Sequence, residues 1–230
     1  MVPQREFKQR RAAATYEALV AAAARVFGRK GFEAAQTPEI AAEAGVSTGA
    51  FYRYFTDKRA VFVEVVAQHL RMSQEEVMSR LNPERFSGGS NERAAIDMVV
   101  DVLFDRVRKD AALERVYLAM SYSDPDVMRL RAEYEARGFA AVAALIGAVV
   151  PPERVPDPLA TARVIGIAAV EVAADRAGLR PRTGTASSDA AVKTALREMI
   201  YRYLFAAEPP APKRTTRQAT AKLRRARRSR

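Results

Sequence analysis

The chain contains no cysteine among its 230 residues. This absence excludes disulfide bonds, thiolate catalysis and cysteine-based metal sites. Histidine is almost as scarce, because His69 is the single example, and one imidazole does not make a zinc site. His69 falls at helical spacing after Phe62 and Val65, which favours a half-buried structural role over a functional one. We therefore expect neither a metal ion nor a cofactor.

Long apolar segments and catalytic motifs are also missing. No run reaches the length of about 18 apolar residues that a membrane-spanning helix needs. The first residues, MVPQREFKQRR, are not followed by an apolar segment, so they do not form a signal peptide, and we expect a cytoplasmic protein. The sequence has no G-x-G-x-x-G, P-loop, G-x-S-x-G or H-E-x-x-H motif. An enzyme would have to be a small helical fold that uses unmarked tyrosine, aspartate or arginine residues, and we expect none.

The net charge of +11 is distributed unevenly. Residues 1–59 contain ten Lys and Arg against six acidic residues, and residues 209–230 contain nine against none. Residues 60–208 contain nineteen against twenty-one. Both ends are therefore basic and the middle is close to neutral, which indicates nucleic acid as a partner of the ends.

Each basic end allows more than one interpretation. Residues 1–11 read as an arm that would lie along phosphates or enter a minor groove, or would remain a solvated terminus. The basic residues of this arm are Arg5, Lys8, Arg10 and Arg11. Residues 209–230 begin with Pro209, Pro210 and Pro212, which stop the last helix, and they have few apolar residues, which predicts disorder. That tail would add non-specific DNA affinity, bind acidic lipid headgroups or only keep the protein in solution.

Residues 37–55, TPEIAAEAGVSTGAFYRYF, read as two short helices joined by a tight turn. Thr37 is a candidate cap for the first helix, and Gly45 has the backbone freedom that the turn needs. Ser47 is the predicted cap of a second helix over residues 48–55. An ordinary helical hairpin within a bundle fits this pattern as well. A helix-turn-helix that places its second helix in the DNA major groove is the alternative, and the flanking sequence favours it.

The flanks provide a family resemblance. An amphipathic helix that ends at Gly31 and Phe32 precedes the two short helices, and YFTDKRAVFVEVV leads into a long helix after them. The segment AAARVFGRKGFEAAQTPEIAAEAGVSTGAFYRYFTDKRAVF resembles the DNA-binding domain of the TetR family of one-component regulators. The matching motifs are F-x-x-x-G-F, T-x-x-x-I-A, AGVS-x-G-x-x-Y-x-x-F and the following D-K. The match covers roughly the first quarter of the chain.

The resemblance implies an all-α protein with two domains. A three-helix DNA-binding head would occupy residues 12–57, and a helical effector-binding and dimerisation domain would occupy residues 58–208. The implied function is a homodimeric transcriptional regulator, a repressor that a small, largely apolar effector releases from a pseudo-palindromic double-stranded DNA operator. An architectural DNA-binding protein without an effector is the alternative.

The resemblance also assigns DNA contacts by position in the motif. Thr37 and Ser47 would bind phosphates, and Tyr52 and Tyr54 would offer them hydroxyl groups. The base edges would face Thr48, Gly49, Ala50 and Arg53. Lys58 would hold the DNA backbone just after the recognition helix. Relatives commonly have Lys, Thr, Leu and His where this chain has Thr48, Ala50, Phe51 and Tyr54, which leaves the operator sequence open.

The remaining chain reads as helices without a strand signal. Helices are predicted over residues 58–80, from 91 onward, around 113–120, 124–148, 159–177 and 189–206. The last two would form a four-helix bundle with a second subunit, because small side chains on one of them allow close approach. The predicted interface residues are Gly166, Ala169, Ala173, Val192, Leu196, Met199, Ile200 and Tyr203. Packing within one subunit is the alternative for each of them.

The central helices would enclose the effector, by the same resemblance. Methionine and aromatic side chains suit an adaptable apolar pocket with a few polar groups. The candidate lining residues are Met98, Val102, Phe104, Tyr117, Met120, Tyr122, Met128, Tyr134 and Phe139. The same residues would serve equally well as an ordinary helical core. No basic cluster lies within an apolar stripe, so nothing in the sequence indicates an anionic effector.

Overall fold

The computed structural model describes residues 4–86, 91–179 and 187–206, with side chains from residue 10 onward. Within these ranges every regular element is an α-helix, which confirms the all-α prediction. The helices are α1 Gln4–Ala34, α2 Thr37–Glu43, α3 Thr48–Phe51, α4 Lys58–Met78, α5 Pro83–Phe86, α6 Glu92–Lys109, α7 Ala111–Met120, α8 Pro125–Val149, α9 Pro158–Arg176 and α10 Asp189–Leu204. No helix within the described ranges is long and apolar enough to cross a membrane. The predicted tail over residues 209–230 lies outside the described residues.

The head consists of α1, α2, α3 and the first half of α4, packed around phenylalanine rings. Phe27, Phe51 and Phe62 are fully buried, and the rings of Phe27 and Phe62 meet edge to face with centroids 5.0 Å apart. The first helix turns at Gly31, whose φ of 79° lies in the left-handed region that glycine adopts without steric cost. The predicted end of that helix at Gly31 is therefore confirmed.

The predicted arm over residues 1–11 does not precede the first helix. The backbone is helical from Gln4, so residues 4–11 of the arm are the first part of α1, and residues 1–3 lie outside the described residues. Arg10 and Arg11 are exposed on this extension. The side chains of Arg5 and Lys8 lie outside the described residues.

The head core does not end at the predicted boundary between residues 57 and 58. It continues along α4 and includes Tyr117 of α7 and Val127 of α8, which are 5% and 0% exposed. Leu113, Val116 and Leu130 pack against the same cluster. Helix α7 and the start of α8 therefore belong to the core of the head, although they follow it by about fifty residues or more in the sequence.

A second core joins α6, α8, α9 and α10. Phe104, Ile146, Ala162 and Leu196 are among its buried residues. Helices α8 and α9 come close at Gly166, where an added Cβ would lie 2.7 Å from Cε1 of Phe139. A larger residue at position 166 would force the Phe139 ring to move, so glycine allows the close approach of α8 and α9 seen here.

A buried polar cluster joins α4, α6 and α7. Nε2 of His69 lies 2.7 Å from Oε2 of Glu114, and their side chains are 8% and 7% exposed. Arg106 lies 3.9 Å from the same carboxylate oxygen and donates a hydrogen bond to Ser73. Burial raises the pKa of Glu114, but the His69 hydrogen bond and the Arg106 charge outweigh it, so the pKa lies below its usual 4.5. His69 has a structural role, as predicted, in a site more buried than expected.

Glu114→Gln should lower the free energy of unfolding at pH 7 by about 3 kcal/mol, because it leaves Arg106 buried without its carboxylate. The folded-state pKa of Glu114 is depressed, so its contribution is complete above pH 4.5 and is lost as the pH falls through the folded value. The difference between the variant and the native protein should therefore shrink below pH 4.5. Urea unfolding followed by circular dichroism at several pH values measures it.

Glu198→Gln is the matched control, since Glu198 pairs with Arg93 and Arg202 at the protein surface. Its effect should be small, because exposed ion pairs contribute little to stability. Equal destabilisation by the two variants would contradict the role given to the buried cluster.

Candidate nucleic-acid interface

The turn between α2 and α3 has the predicted geometry. Gly45 has a φ of 71°, and the amide of Val46 donates to the carbonyl of Ala41 over 2.9 Å. Ser47 caps α3, because its hydroxyl accepts a hydrogen bond from the amide of Ala50 over 3.2 Å. The glycine allows the chain to reverse, and the serine satisfies an amide that the start of a helix leaves unpaired.

The start of α2 differs from the prediction. The cap residue is Gln36, and its side chain makes no capping hydrogen bond. Thr37 lies inside the helix, so the prediction that it caps α2 is wrong. Its Oγ1 instead lies 3.0 Å from the hydroxyl oxygen of Tyr52. Two residues predicted to contact phosphates are thus hydrogen-bonded to each other, which ties α2 to the end of the recognition helix.

The recognition helix is shorter than the predicted range of residues 48–55. Regular α-helix ends at Phe51, and the chain then tightens, with the amide of Arg53 donating to Ala50 and that of Tyr54 to Phe51. This i→i−3 bonding is typical of helix ends. Phe51 and Phe55 are both buried, with ring centroids 5.7 Å apart, so the tightened turn keeps both rings in the head core.

The outer face of this unit is polar and accessible. Ser47, Gly49, Tyr52 and Arg53 are exposed, and Thr37 and Thr48 are half-buried. Arg53 makes no ion pair with any residue that the structure describes. Ala50 departs from its predicted place at the base edges, because it is only 8% exposed. Its methyl group is mostly covered by the head itself, which leaves little of it for a base contact.

Lys58 also differs from its predicted role. Its Nζ donates to the carbonyl oxygens of Phe32 and Glu33 over 3.0 and 2.8 Å, and to that of Ala35 over 3.4 Å. It also lies 4.8 Å from the centroid of the Phe32 ring. The ammonium group therefore holds the end of α1 against the start of α4, and its donors are directed to these three carbonyl oxygens. Nothing in the local sequence indicates these partners, which lie more than twenty residues earlier.

Tyr54 is half-buried beside the first helix. Its ring centroid lies 6.4 Å from that of Tyr16. Tyr54 packs against the head core, so its ring has a structural role in addition to the hydroxyl contact that the resemblance assigns to it.

The acidic residues of α2 are paired with basic residues of α1. Glu43 accepts hydrogen bonds from Arg25 and Arg29, each over 2.8 Å, and Glu39 pairs with Lys30. The hydrogen bonds from Arg29 and Arg25 lower the pKa of Glu43 to about 2. These carboxylates are therefore neutralised from α1, so they oppose the approach of a polyanion less than exposed unpaired acids would.

The residues predicted for a dimer interface divide into two groups. Ala169, Ala173, Leu196 and Ile200 are buried within their own subunit, and Gly166 faces Phe139, which favours the alternative of packing within one subunit for these five. Met199 and Tyr203 are 51% and 54% exposed, and Val192 is half-buried. Helix α9 buries its small residues against its own subunit, because close packing there needs them.

Sequence reasoning missed the apolar residues that α9 exposes. Val164, Ile167 and Val170 recur every three residues and are 68%, 48% and 41% exposed. Together with Met199 and Tyr203 of α10 they form what we call the apolar stripe. It borders a groove of about 270 Å³ between the two helices. In the sequence, Val164, Ile167 and Val170 form a second, apolar face of α9, on the side opposite its alanines.

The predicted effector residues do not converge on one pocket. Phe104 belongs to the second core, whereas Tyr117 and Met120 pack in the head core. Tyr122 and Met128 are 69% and 50% exposed, so their placement in an enclosed pocket is wrong. The remaining candidates are half-buried; these are Met98, Val102, Tyr134 and Phe139.

Comparison with known proteins gives matches over the head and over the fold. Residues 19–65 match the family model described as bacterial regulatory proteins, tetR family. The HTH-type transcriptional repressor BepR of Brucella suis is 42% identical over 67 residues, which are 29% of this chain and 32% of BepR. Matched segments cover between 20% and 43% of the curated relatives.

Solved structures match over most of the chain. A tetR-family regulator from Mesorhizobium loti shares 21% identity with a TM-score of 0.65, over 84% of this chain and 96% of that one. A transcriptional regulator from Saccharomonospora viridis, solved in complex with choline, shares 14% identity with a TM-score of 0.65, over 84% and 98% of the two chains. At these identities the likeness establishes the fold.

The family model therefore covers the helix-turn-helix, and solved family members share the arrangement of the helices behind it. Residues 19–65 are thus similar to the tetR family of bacterial regulatory proteins, and most of the chain shares the fold of solved tetR-family regulators.

Proposed function

We propose that this chain is a cytoplasmic, homodimeric repressor that occupies a pseudo-palindromic operator and leaves it when a small effector binds. The observation that carries the proposal is the exposed polar face of the helix-turn-helix. There Ser47, Tyr52 and Arg53 surround a recognition helix whose apolar side is fixed in the head core. A regulator without an effector remains the alternative function.

The head has the properties that DNA contact needs. Hydroxyl groups and backbone amides position a protein on phosphates, and a protruding guanidinium reads guanine by paired hydrogen bonds. Arg53 is exposed on the recognition helix, and Arg10 and Arg11 are exposed on the first helix. A short recognition helix offers few base contacts, so a second head is needed to raise specificity.

The apolar stripe supports dimerisation through α9 and α10. Five large apolar side chains that are 41% to 68% exposed are unfavourable in water, and an isologous contact with a second copy would cover them. Tyr203 adds a polar group at the edge, with its hydroxyl 3.5 Å from that of Thr161. Two helices from each subunit then form a four-helix bundle, as predicted, with an interface displaced from the small residues to the apolar stripe.

Effector binding between the two cores would change the position of the head. Helix α7 packs in the head core and is followed by α8, which joins the second core, so a ligand that separates the cores also moves the head. The structural relative from Saccharomonospora viridis was solved in complex with choline, a small quaternary ammonium cation whose charge is surrounded by methyl groups. We propose a small, largely apolar effector for this chain as well.

Arg53→Ala should weaken operator binding by about 1–3 kcal/mol and relax the base preference at the position that Arg53 contacts. Arg115→Ala, which removes the same charge from an exposed site on α7, is the matched control. Its effect should be small and equal for all sequences. Titration of labelled operator variants by fluorescence anisotropy measures both variants. An unchanged base preference in Arg53→Ala would contradict the assignment.

Ile167→Glu should convert the dimer to monomers at micromolar concentration, because two carboxylates would be buried without partners at the interface. The subunit should remain folded, since Ile167 is 48% exposed. Gly166→Glu should instead destabilise the subunit, because residue 166 faces Phe139. Sedimentation velocity measures the first effect and thermal unfolding the second, with Ala144→Glu on the exposed face of α8 as the control. A fully dimeric Ile167→Glu variant would place the interface elsewhere.

A panel of small, largely apolar molecules, with choline added as a cationic member, should contain compounds that raise the melting temperature and weaken operator binding. Thermodynamic linkage requires that a compound which weakens DNA affinity tenfold also binds about tenfold more weakly to the DNA-bound dimer. Thermal shift followed by operator titration tests both effects. Compounds that stabilise the protein and leave operator affinity unchanged would favour the regulator without an effector.

A further inference from the structure

Two adjacent side chains at the start of α4 connect this helix to two different parts of the protein. Lys58 binds the end of α1, as described above, and lies within the head. Arg59 points to the other side and binds the turn before α8. Because α4 starts three residues after the buried Phe55, both contacts act close to the end of the recognition helix.

The contact of Arg59 with Asp124 is bidentate. Nε of Arg59 donates to Oδ2 of Asp124 over 2.6 Å, and Nη2 donates to Oδ1 over 2.8 Å. Nη2 also reaches Oδ2 of Asp126 over 2.7 Å. The side chain of Asp124 is 8% exposed, whereas that of Asp126 is 35% exposed. The inner contact is therefore shielded from solvent, and the outer one is accessible to it.

Asp124 has a second function that fixes its position. Its Oδ1 accepts hydrogen bonds from the amides of Asp126 and Val127 over 2.9 and 3.2 Å, which makes it the cap of α8. Burial raises the pKa of Asp124, but the Arg59 hydrogen bond and these amides outweigh it and lower the pKa below its usual 3.8. The carboxylate is thus ionised and oriented by α8 itself, so Arg59 meets an acceptor of fixed direction.

We propose that Arg59 and Asp124 form a positioning pair that sets the angle between the head and the body, which we define as the helices of the second core, α6, α8, α9 and α10, and thereby the half-site spacing that the dimer accepts. The proposal rests on the proposed function, since spacing has meaning only for a dimer on DNA. Apolar packing between the head, α7 and α8 is non-directional and holds the surfaces together without selecting one angle. A bidentate guanidinium–carboxylate pair selects distance and direction at once.

The pair is also placed to transmit movement. Asp124 lies between α7, which packs in the head core, and α8, which continues into the second core. A displacement of α8 moves the carboxylate, and Arg59 follows it while the contact persists. Arg59 is bonded through the chain to Lys58, which holds α1, so the displacement reaches the head as a unit.

The first test measures the angle of the head directly. Asp124→Asn keeps the cap of α8, because asparagine caps helices as well as aspartate does, and removes the charge that binds Arg59. Arg59→Gln removes the other partner, whose side chain is 44% exposed, while Asp124 keeps its hydrogen bonds from the amides of Asp126 and Val127. Asp126→Asn is the matched control, since it removes only the outer contact.

The absence of cysteine allows spin labels at two introduced sites, Ala42→Cys on α2 and Ala144→Cys on α8, which are both exposed. Electron–electron double resonance then gives the distance between head and body, with labelled protein diluted in excess unlabelled protein. Asp124→Asn and Arg59→Gln should broaden the distance distribution, and Asp126→Asn should leave it narrow. A narrow, unshifted distribution in both of the first two variants would overturn the proposal.

The second test measures operator spacing. Half-sites separated by spacers that differ by one base pair are presented to each variant. The native protein should prefer one spacing by about tenfold, and Asp124→Asn should reduce that preference to about twofold with the base preference unchanged. A merely structural role would weaken binding at every spacing equally, and that result would overturn the proposal. If the native protein binds no operator, the proposed function fails, while the distance measurement still decides the positioning role.

Discussion

The structure depends on one continuous apolar core that joins the head to α7 and to the start of α8. Phe27, Phe51 and Phe62 fill its centre, and Tyr117 and Val127 extend it beyond the head. The head is small, so the apolar surface that α7 and α8 bury against it adds substantially to its core. Because the head and α7 share this core, a displacement of α7 would also displace the recognition helix.

Polar contacts select the geometry that this core leaves undetermined. His69 and Glu114 tie α4 to α7, and Arg59 and Asp124 tie α4 to α8. A comparable set of ion pairs fixes α10 on α6, where Asp101 accepts from Lys193 and lies 2.6 Å from Arg197. Ion pairs of this kind contribute less to stability than apolar burial does, but they are directional. The helices of the proposed dimer interface and of the proposed DNA interface are thus both oriented by charge.

Local features could be predicted from the sequence, and features that depend on distant partners could not. Gly45 and Ser47 act within four residues of their own positions, so their roles in the turn follow from residue type. Thr37 and Lys58 also have clear local patterns, but each is hydrogen-bonded to a partner that the local pattern does not predict. The partner of Thr37 is Tyr52, and the partners of Lys58 are the carbonyl groups that end α1. Small residues in α9 correctly predict close helix packing, and they do not say which helix packs there. For the same reason the methionine and aromatic residues predicted for one pocket belong to two cores.

Selection of bound DNA from a random pool tests the central claim most directly, because it needs no effector and no prior operator. We expect the full chain to enrich a pseudo-palindrome, with two half-sites on the same face of the duplex about one helical turn, or a multiple of it, apart. Enrichment of single, unpaired half-sites would contradict the dimer. Retention of DNA without any sequence preference would contradict recognition by the helix-turn-helix and favour non-specific binding by the basic ends of the chain.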